Sequence, residues 1–382
     1  MKNSIVLSTI IFFIFINLCN SQKNEENPLF IINHIHEDGN RKYGFMNQNG
    51  KVVIEPTFDR VYDFQKDLAK VHIDNKKGLI NKKGEFLIIG EYQYLYYYDD
   101  EDLIHFEKDG KTGFMNKKGE IVIPARKVII DGFQDGLFKI RVINKHSYKH
   151  TYLNMKGDTI IKPTHNYLSS FYENIAFLGR YKNYRLINRK GKIINKLVFE
   201  DHKVFSEGLA PVRLNGKWGY INSKGKIIIE PQFDIAYEFK DGLAVARRDN
   251  EKYGYINKKG KFVIKPKFDL AYGFNEALAS VKIKYNYGYI DKKGNIVIPV
   301  KFGDADKFVN GFARVRKNNQ HWAMINTKGE YIYNPVNFLT ISNFKNNLAL
   351  VIYGKSYGYI DKKGNFVYVY GDKNDLKIIE KK

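Results

Sequence analysis

The sequence predicts an all-β fold, a tandem array of about ten antiparallel β-meander units of 34–35 residues each. Three observations predict it. The chain repeats itself at that period, it is rich in Tyr, Phe, Ile and Val, and a glycine turn recurs at one place in every copy. The turn glycines fall at 50, 84, 119, 157, 191, 225, 260, 294, 329 and 364. No segment carries a helical period of sufficient length. At 382 residues the chain exceeds what one core usually serves, and an apolar content of 43% with 15% aromatics excludes a disordered chain.

The N-terminal residues 1–21 read as a signal peptide. Lys2 supplies the positive start, Ile5 to Ile16 the apolar run, and Cys19-Asn20-Ser21 a cleavage site before Gln22. The run is short for a membrane span, which needs about 20 apolar residues. Lipid attachment at Cys19 is the alternative, with membrane association as its consequence, but Leu18 is not the small residue that reaction needs. The expected destination is the periplasm, the cell surface or the exterior. Cys19 is the only cysteine, so a chain cut after Ser21 has no disulfide and no thiol chemistry. Residues 22–28 are a polar linker, 29–370 the repeat array and 371–382 a charged tail.

One unit reads as four short strands. In the copy beginning at Ile235, Ile235 to Phe239 ends at the turn Lys240-Asp241-Gly242, and Leu243 to Arg247 follows. Lys252 to Asn257 is third, Lys258-Lys259-Gly260 makes a hairpin turn with glycine in its left-handed position, and Lys261 to Ile264 is fourth, closed by Pro266. Connections this short join antiparallel neighbours. Phe233, Ala236, Phe239 and Leu243 recur as Phe268, Ala271, Phe274 and Leu278, and as Phe302, Ala305, Phe308 and Phe312. A single unit cannot bury these faces, so they predict a core formed between stacked neighbours. The Asp after the Phe (Asp59, Asp234, Asp269) is expected to bond nearby backbone N–H groups in a turn.

Lys217-Trp218-Gly219-Tyr220-Ile221-Asn222 and Lys224-Gly225-Lys226, with Ile229-Glu230-Pro231-Gln232-Phe233-Asp234 and Gly242-Leu243-Ala244 downstream, resemble the WG repeat of bacterial proteins. The resemblance runs over residues 29–370. Most copies have Tyr-Gly in place of Trp-Gly, Trp322-Ala323 loses the glycine, and the copies around Thr151 and Arg185 have drifted furthest. The resemblance implies an exported repeat scaffold and assigns no active site. Such units form either an open superhelix or a β-propeller. The first recognisable strand, from Leu29, corresponds to the second of a unit, and neither end supplies the missing first strand. The expectation is therefore an open, elongated solenoid, with the propeller as the alternative.

The sequence offers no Gly-x-Ser-x-Gly, no phosphate-binding glycine loop and no His-Glu-x-x-His, and it predicts a protein that is not an enzyme and needs no cofactor or metal. His34 and His36 lack further ligands, and His146 and His150 lie at a divergent turn. Asp99-Asp100-Glu101-Asp102 reads as a solvated loop before it reads as a calcium site. The feature with functional promise is the hairpin turn, whose second central residue is Lys in nine copies: Lys83, Lys118, Lys156, Lys190, Lys224, Lys259, Lys293, Lys328 and Lys363. Units added edge to edge would set these roughly 19 Å apart, four strands at about 4.8 Å each. The formal charge of +22, of which +21 would remain after cleavage, favours an anionic partner such as an acidic polysaccharide or lipopolysaccharide. Export and the absence of any binding motif argue against nucleic acid. The leading reading is a binding scaffold of the bacterial envelope or exterior for a protein partner, with specificity in copies four and five. The anionic glycan is its rival.

Overall fold

The computed structural model describes residues 27–371 apart from 36–38, 135, 145–146, 163–166, 250, 317–321, 333–339 and 355. The predicted signal peptide, Cys19 and most of the charged tail lie outside the described residues. Within them, every regular element is a strand, and the strands form ten antiparallel sheets in chain order. Blade 7 shows the full pattern, with strands Ile235–Ala236, Ala244–Arg247, Tyr253–Ile256 and Phe262–Phe268 paired in sequence.

Two details differ from the sequence reading. The first strand is only two residues long, because the chain turns inward to bury Phe239 and closes a tight turn between Lys240 and Leu243. The fourth strand runs through Pro266 to Phe268, where the register shifts between Tyr253 and Tyr255. This strand is an outer edge, where a residue without an N–H is tolerated.

The blades pack face to face. One core cluster joins Trp218, Tyr220, Ile229 and Phe233 of blade 6 to Ala236, Phe239, Ala244 and Ala246 of blade 7. The next joins Tyr255, Ile264 and Phe268 to Phe274, Ala279 and Val281 of blade 8. Most of the predicted core residues are thus buried between units, while Ala271, Leu278 and Phe312 are half-buried against the same clusters. Tyrosine hydroxyls cross the same interfaces: Tyr220, Tyr255 and Tyr289 each donate to the carbonyl 17 residues ahead, on Tyr237, Tyr272 and Asp306, at 2.7–2.8 Å.

The array closes into a ten-bladed propeller, and the open solenoid is corrected. Phe30, Ile32 and Met46 of blade 1 share a core with Leu348, Tyr357 and Tyr359 of blade 10. The hydroxyl of Tyr359 donates to Ile31 O at 2.8 Å and that of Tyr357 to Asn33 O at 2.9 Å. The N–H groups of Asn33 and Ile35 donate to the hydroxyls of Tyr357 and Tyr370. Among the described residues blade 1 has three strands, Leu29–Ile35, Arg41–Asn47 and Val52–Phe58. Among the described residues, apolar faces and tyrosine side chains join the ends.

A glycine in the third strand accompanies a regular fourth strand, and the blades without it keep only isolated bridges there among the described residues. A Cβ on Gly44, Gly219, Gly254, Gly288 or Gly358 would lie 2.3–2.7 Å from a carbonyl oxygen of the fourth strand, closer than any real contact. Thr151, Arg185 and Ala323 take this place in blades 4, 5 and 9. Those sheets have three strands among the described residues. Thr151 reaches the same carbonyl by a side-chain route, donating its hydroxyl to Ile161 O.

Candidate functional site

The hairpin turns between third and fourth strands form a repeated, charged surface. Each begins with Asn or Asp, whose Oδ1 accepts the N–H of the residue two places on. In blade 6, Asn222 Oδ1 accepts from Lys224 and Lys226, both at 3.0 Å. The predicted glycines take φ of 73–86°. This side-chain cap holds the second central residue in one conformation and leaves its side chain outside. All nine lysines (Lys83, Lys118, Lys156, Lys190, Lys224, Lys259, Lys293, Lys328 and Lys363) are exposed. Among the described residues none of the nine ammonium groups has an ion-pair partner. The edge-to-edge arrangement assumed for their predicted spacing does not occur, because the blades pack face to face.

The preceding lysine in the turn behaves differently. Lys258 and Lys292 pair with Glu207 and Asp241, acids in the turn between first and second strands of the neighbouring blade. Those carboxylates also accept backbone N–H groups of the next blade: Glu207 from Gly242, Asp241 from Ala277, and Glu276 from Asn310 and Gly311. These contacts bind blade to blade. Asp59 and Asp269 bond the N–H groups of Asp74 and Lys284 as expected. They also pair with Lys42 and Lys252, and the Lys42 contact holds the Asp59 carboxyl below its usual range.

A second surface lies across blades 4 to 6. A cavity of about 460 Å³ is walled by Lys139 of blade 4, Tyr167, Tyr172 and Phe177 of blade 5, and His202, Lys203, Val204 and Phe205 of blade 6. Its rings are stacked: Tyr172 on Phe205 at 4.9 Å and Phe177 on His202 at 3.9 Å, both nearly parallel. Enclosure among these rings pushes the His202 imidazole down to about 4, so it is neutral. Burial also lowers the Lys139 and Lys203 ammoniums, which sit over the Tyr167 ring at 5.7 Å and the Tyr237 ring at 3.7 Å. At the mouth, Val204 is 70% exposed. Other copies have Asp63, Glu238, Lys307 or Asn343 just before the buried Phe, so an apolar side chain here departs from the repeat. Alignment of the copies would have found it.

The other candidates have structural employment. Asp99 and Asp100 face Lys66, and Asp102 is bound by Lys117 and the Tyr97 hydroxyl. His34 stacks on Tyr370 at 4.7 Å, and His150 Nδ1 lies 3.5 Å from Asp131. His36 and His146 lie outside the described residues. Among the described residues no group of three or more His, Cys, Asp or Glu could hold a metal ion. Trp218 is buried, with Lys203 over its ring, as packing requires.

The repeat described as the WG containing repeat matches this chain eight times, over residues 43–76, 78–111, 113–145, 184–218, 218–251, 253–287, 287–320 and 322–355. The chain belongs to the WG-repeat family. The stretch between 145 and 184, where blade 4 gives way to blade 5, is unmatched, in keeping with its drift. No curated protein matches the sequence. Among solved structures, one titled as the eukaryotic initiation factor aligns at 13% identity with a TM-score of 0.54, covering 81% of this chain and 96% of that one. At that identity the likeness concerns the fold alone. BamB from Moraxella catarrhalis (10% identity, TM-score 0.30, covering 88% and 97%) and Hsv2p of Kluyveromyces lactis (8%, 0.36, covering 74% and 97%) are more distant and carry no argument.

Proposed function

We propose that this WG-repeat propeller is a non-catalytic binding scaffold of the bacterial envelope or exterior, and that it recognises a protein partner through blades 4 to 6. The observation that carries this reading is the aromatic cavity there, with Val204 at its mouth. An exposed apolar residue beside a ring-lined hollow favours an apolar or aromatic anchor from a partner. The two half-buried ammoniums, Lys139 and Lys203, favour a carboxylate next to that anchor. A photo-crosslinking residue at Val204, compared with one at the exposed outer-strand Val297, tests it in envelope extract. The reading expects one protein captured at 204 in high salt, missing at 297, and lost with Phe177→Ala. The same products at both positions would overturn it.

The nine exposed turn lysines support a second reading, an anionic polysaccharide or lipopolysaccharide laid along the turns. Binding of that kind weakens steeply with salt and falls when several of these lysines become Gln. Salt-insensitive glycan binding would exclude it.

A further inference from the structure

In the closed ring the first strands face the axis, opposite the outer fourth strands. The residue just before the buried Phe of each first turn stands beside them, and in blade 8 it is a glycine. Gly273 takes the place of Glu238, Lys307 and Asn343 in blades 7, 9 and 10. Its φ lies outside the left-handed region, so the backbone does not require glycine here. Close packing does not require it either, since a Cβ would meet only the flexible side chain of Lys240, nearest at 3.3 Å. What the missing side chain leaves is space. A cavity of about 620 Å³ opens around Gly273, with Glu238, Lys307 and Asn343 in its wall. Sites for small ligands occupy about 300–1,000 Å³.

The wall is aromatic and polar. Tyr237 and Tyr272 hold the same place in blades 7 and 8 and are 41% and 49% exposed. The backbone that carries them is fixed, because their carbonyls accept from the buried hydroxyls of Tyr220 and Tyr255. The charged side chains balance: Glu238, Asp304 and Asp306 are matched by Lys240, Lys307 and Arg314. In a chain of formal charge +22 this balance is a local exception, and it offers an ion no net attraction. Arg314 Nε donates to Asp306 at 2.7 Å and Arg316 lies 3.5 Å from Asp304, so these two acids are held in place.

The cavity also takes in a buried hydroxyl. Ser280 is only 4% exposed. Its neighbours Ala279 and Val281 pack on Tyr255, Ile264 and Phe268 of blade 7, so Ser280 points to the other face of the strand, where the cavity lies. Blades 7 and 10 have Val245 and Leu350 at this place. Among the described residues the Ser280 hydroxyl has no hydrogen-bond partner, and neither has the Glu238 carboxylate or the Asn343 carboxamide. A buried hydroxyl is costly unless whatever fills the space beside it bonds to it.

We propose that this cavity binds a neutral saccharide. A pyranose ring has an apolar C–H face to lay on Tyr272 and Tyr237, and hydroxyls that donate to Glu238 and both donate to and accept from Ser280 and Asn343. An apolar anchor would leave those three groups unpaired, and an anion would find no net charge. The site shares no wall residue with the cavity of blades 4 to 6 and includes none of the nine turn lysines, so it stands apart from both readings above.

An array of immobilised oligosaccharides tests it with the full chain as the analyte. Neutral glycans ending in glucose, galactose, mannose or N-acetylglucosamine stand beside uronate and sulfated ones. The expected result is retention on at least one neutral glycan, unchanged within about twofold between low and high salt. Tyr272→Ala removes a stacking face and Gly273→Gln puts a side chain into the cavity, and each should weaken retention by about tenfold or more. Phe177→Ala, and Gln in place of Lys224 and Lys259, should leave it unchanged, which separates this site from the other two. In the unaltered chain the retained glycan, added free in excess, should slow amide exchange at residues 270–275 and leave blades 1 to 3 as they were. The proposal is overturned by no retention on any neutral glycan, by retention that either cavity variant keeps, by retention on acidic glycans alone, or by protection that falls outside blades 7 to 9.

Discussion

Gly219→Ala is the sharpest test of how a blade keeps its outer strand. The new Cβ would lie 2.4 Å from Ile229 O and 2.8 Å from Pro231 N, both backbone atoms. Ordinary contact needs roughly an ångström more, so the Ile227–Phe233 strand must shift away. Overpacking of this kind costs about 1–3 kcal/mol, and each ladder bond lost adds about 1 kcal/mol. The local cost is therefore about 2–4 kcal/mol. A ten-blade array need not unfold in one step, so a single melting temperature is the wrong readout. Native-state hydrogen exchange is the right one. Amides of Ile227–Phe233 should exchange roughly thirty- to several-hundred-fold faster, while Phe262–Phe268 of blade 7 changes little. Exchange within a factor of about three of the wild type would refute the argument. The three-stranded blades of Thr151, Arg185 and Ala323 would then need another cause.

Three further outcomes are expected. Both ring nitrogens of His105 lack partners, and burial pushes its imidazole down to about 4, as it does that of His202. Above pH 6.5 both states are neutral and the histidines cost nothing. As pH falls from 6.5 toward 4 only the unfolded chain takes up protons, so each site loses up to about 3 kcal/mol. His105→Phe should flatten that part of a urea-stability profile, and an unchanged slope would count against it. Tyr220→Phe leaves the Tyr237 carbonyl without its 2.7 Å donor and should cost about 1–2 kcal/mol, read as faster exchange in blades 6 and 7. Asn222→Ala removes the cap on the Lys224 and Lys226 N–H groups and should cost about 1–2 kcal/mol, read as faster exchange at those two amides alone.

The unit was legible because its signals are local. Gly225 and its nine counterparts mark the hairpin, and Phe233, Ala236 and Phe239 mark the faces that neighbours cover. Asn222 stood in view, yet its carboxamide acts on backbone N–H groups, which carry no sequence signature. Ring closure was not legible. Tyr357, Tyr359 and Tyr370 hold the seam from side chains that also serve as ordinary repeat residues. The lysine turns were legible in position, while the face-to-face stacking of the blades that carry them was not. The cavity at Val204 assembles residues from three copies, so no one copy displays it.

The seam also has a mechanical meaning. Leu29 and Tyr370 stand at one interface, so tension drawn through the two ends of the array bears on that interface first. The hydroxyl bonds of Tyr357, Tyr359 and Tyr370 would carry the load in shear, with the apolar contacts of Phe30 and Ile32 behind them. The remaining interfaces would feel it only after the clasp had opened, and the propeller would then uncoil blade by blade from either side.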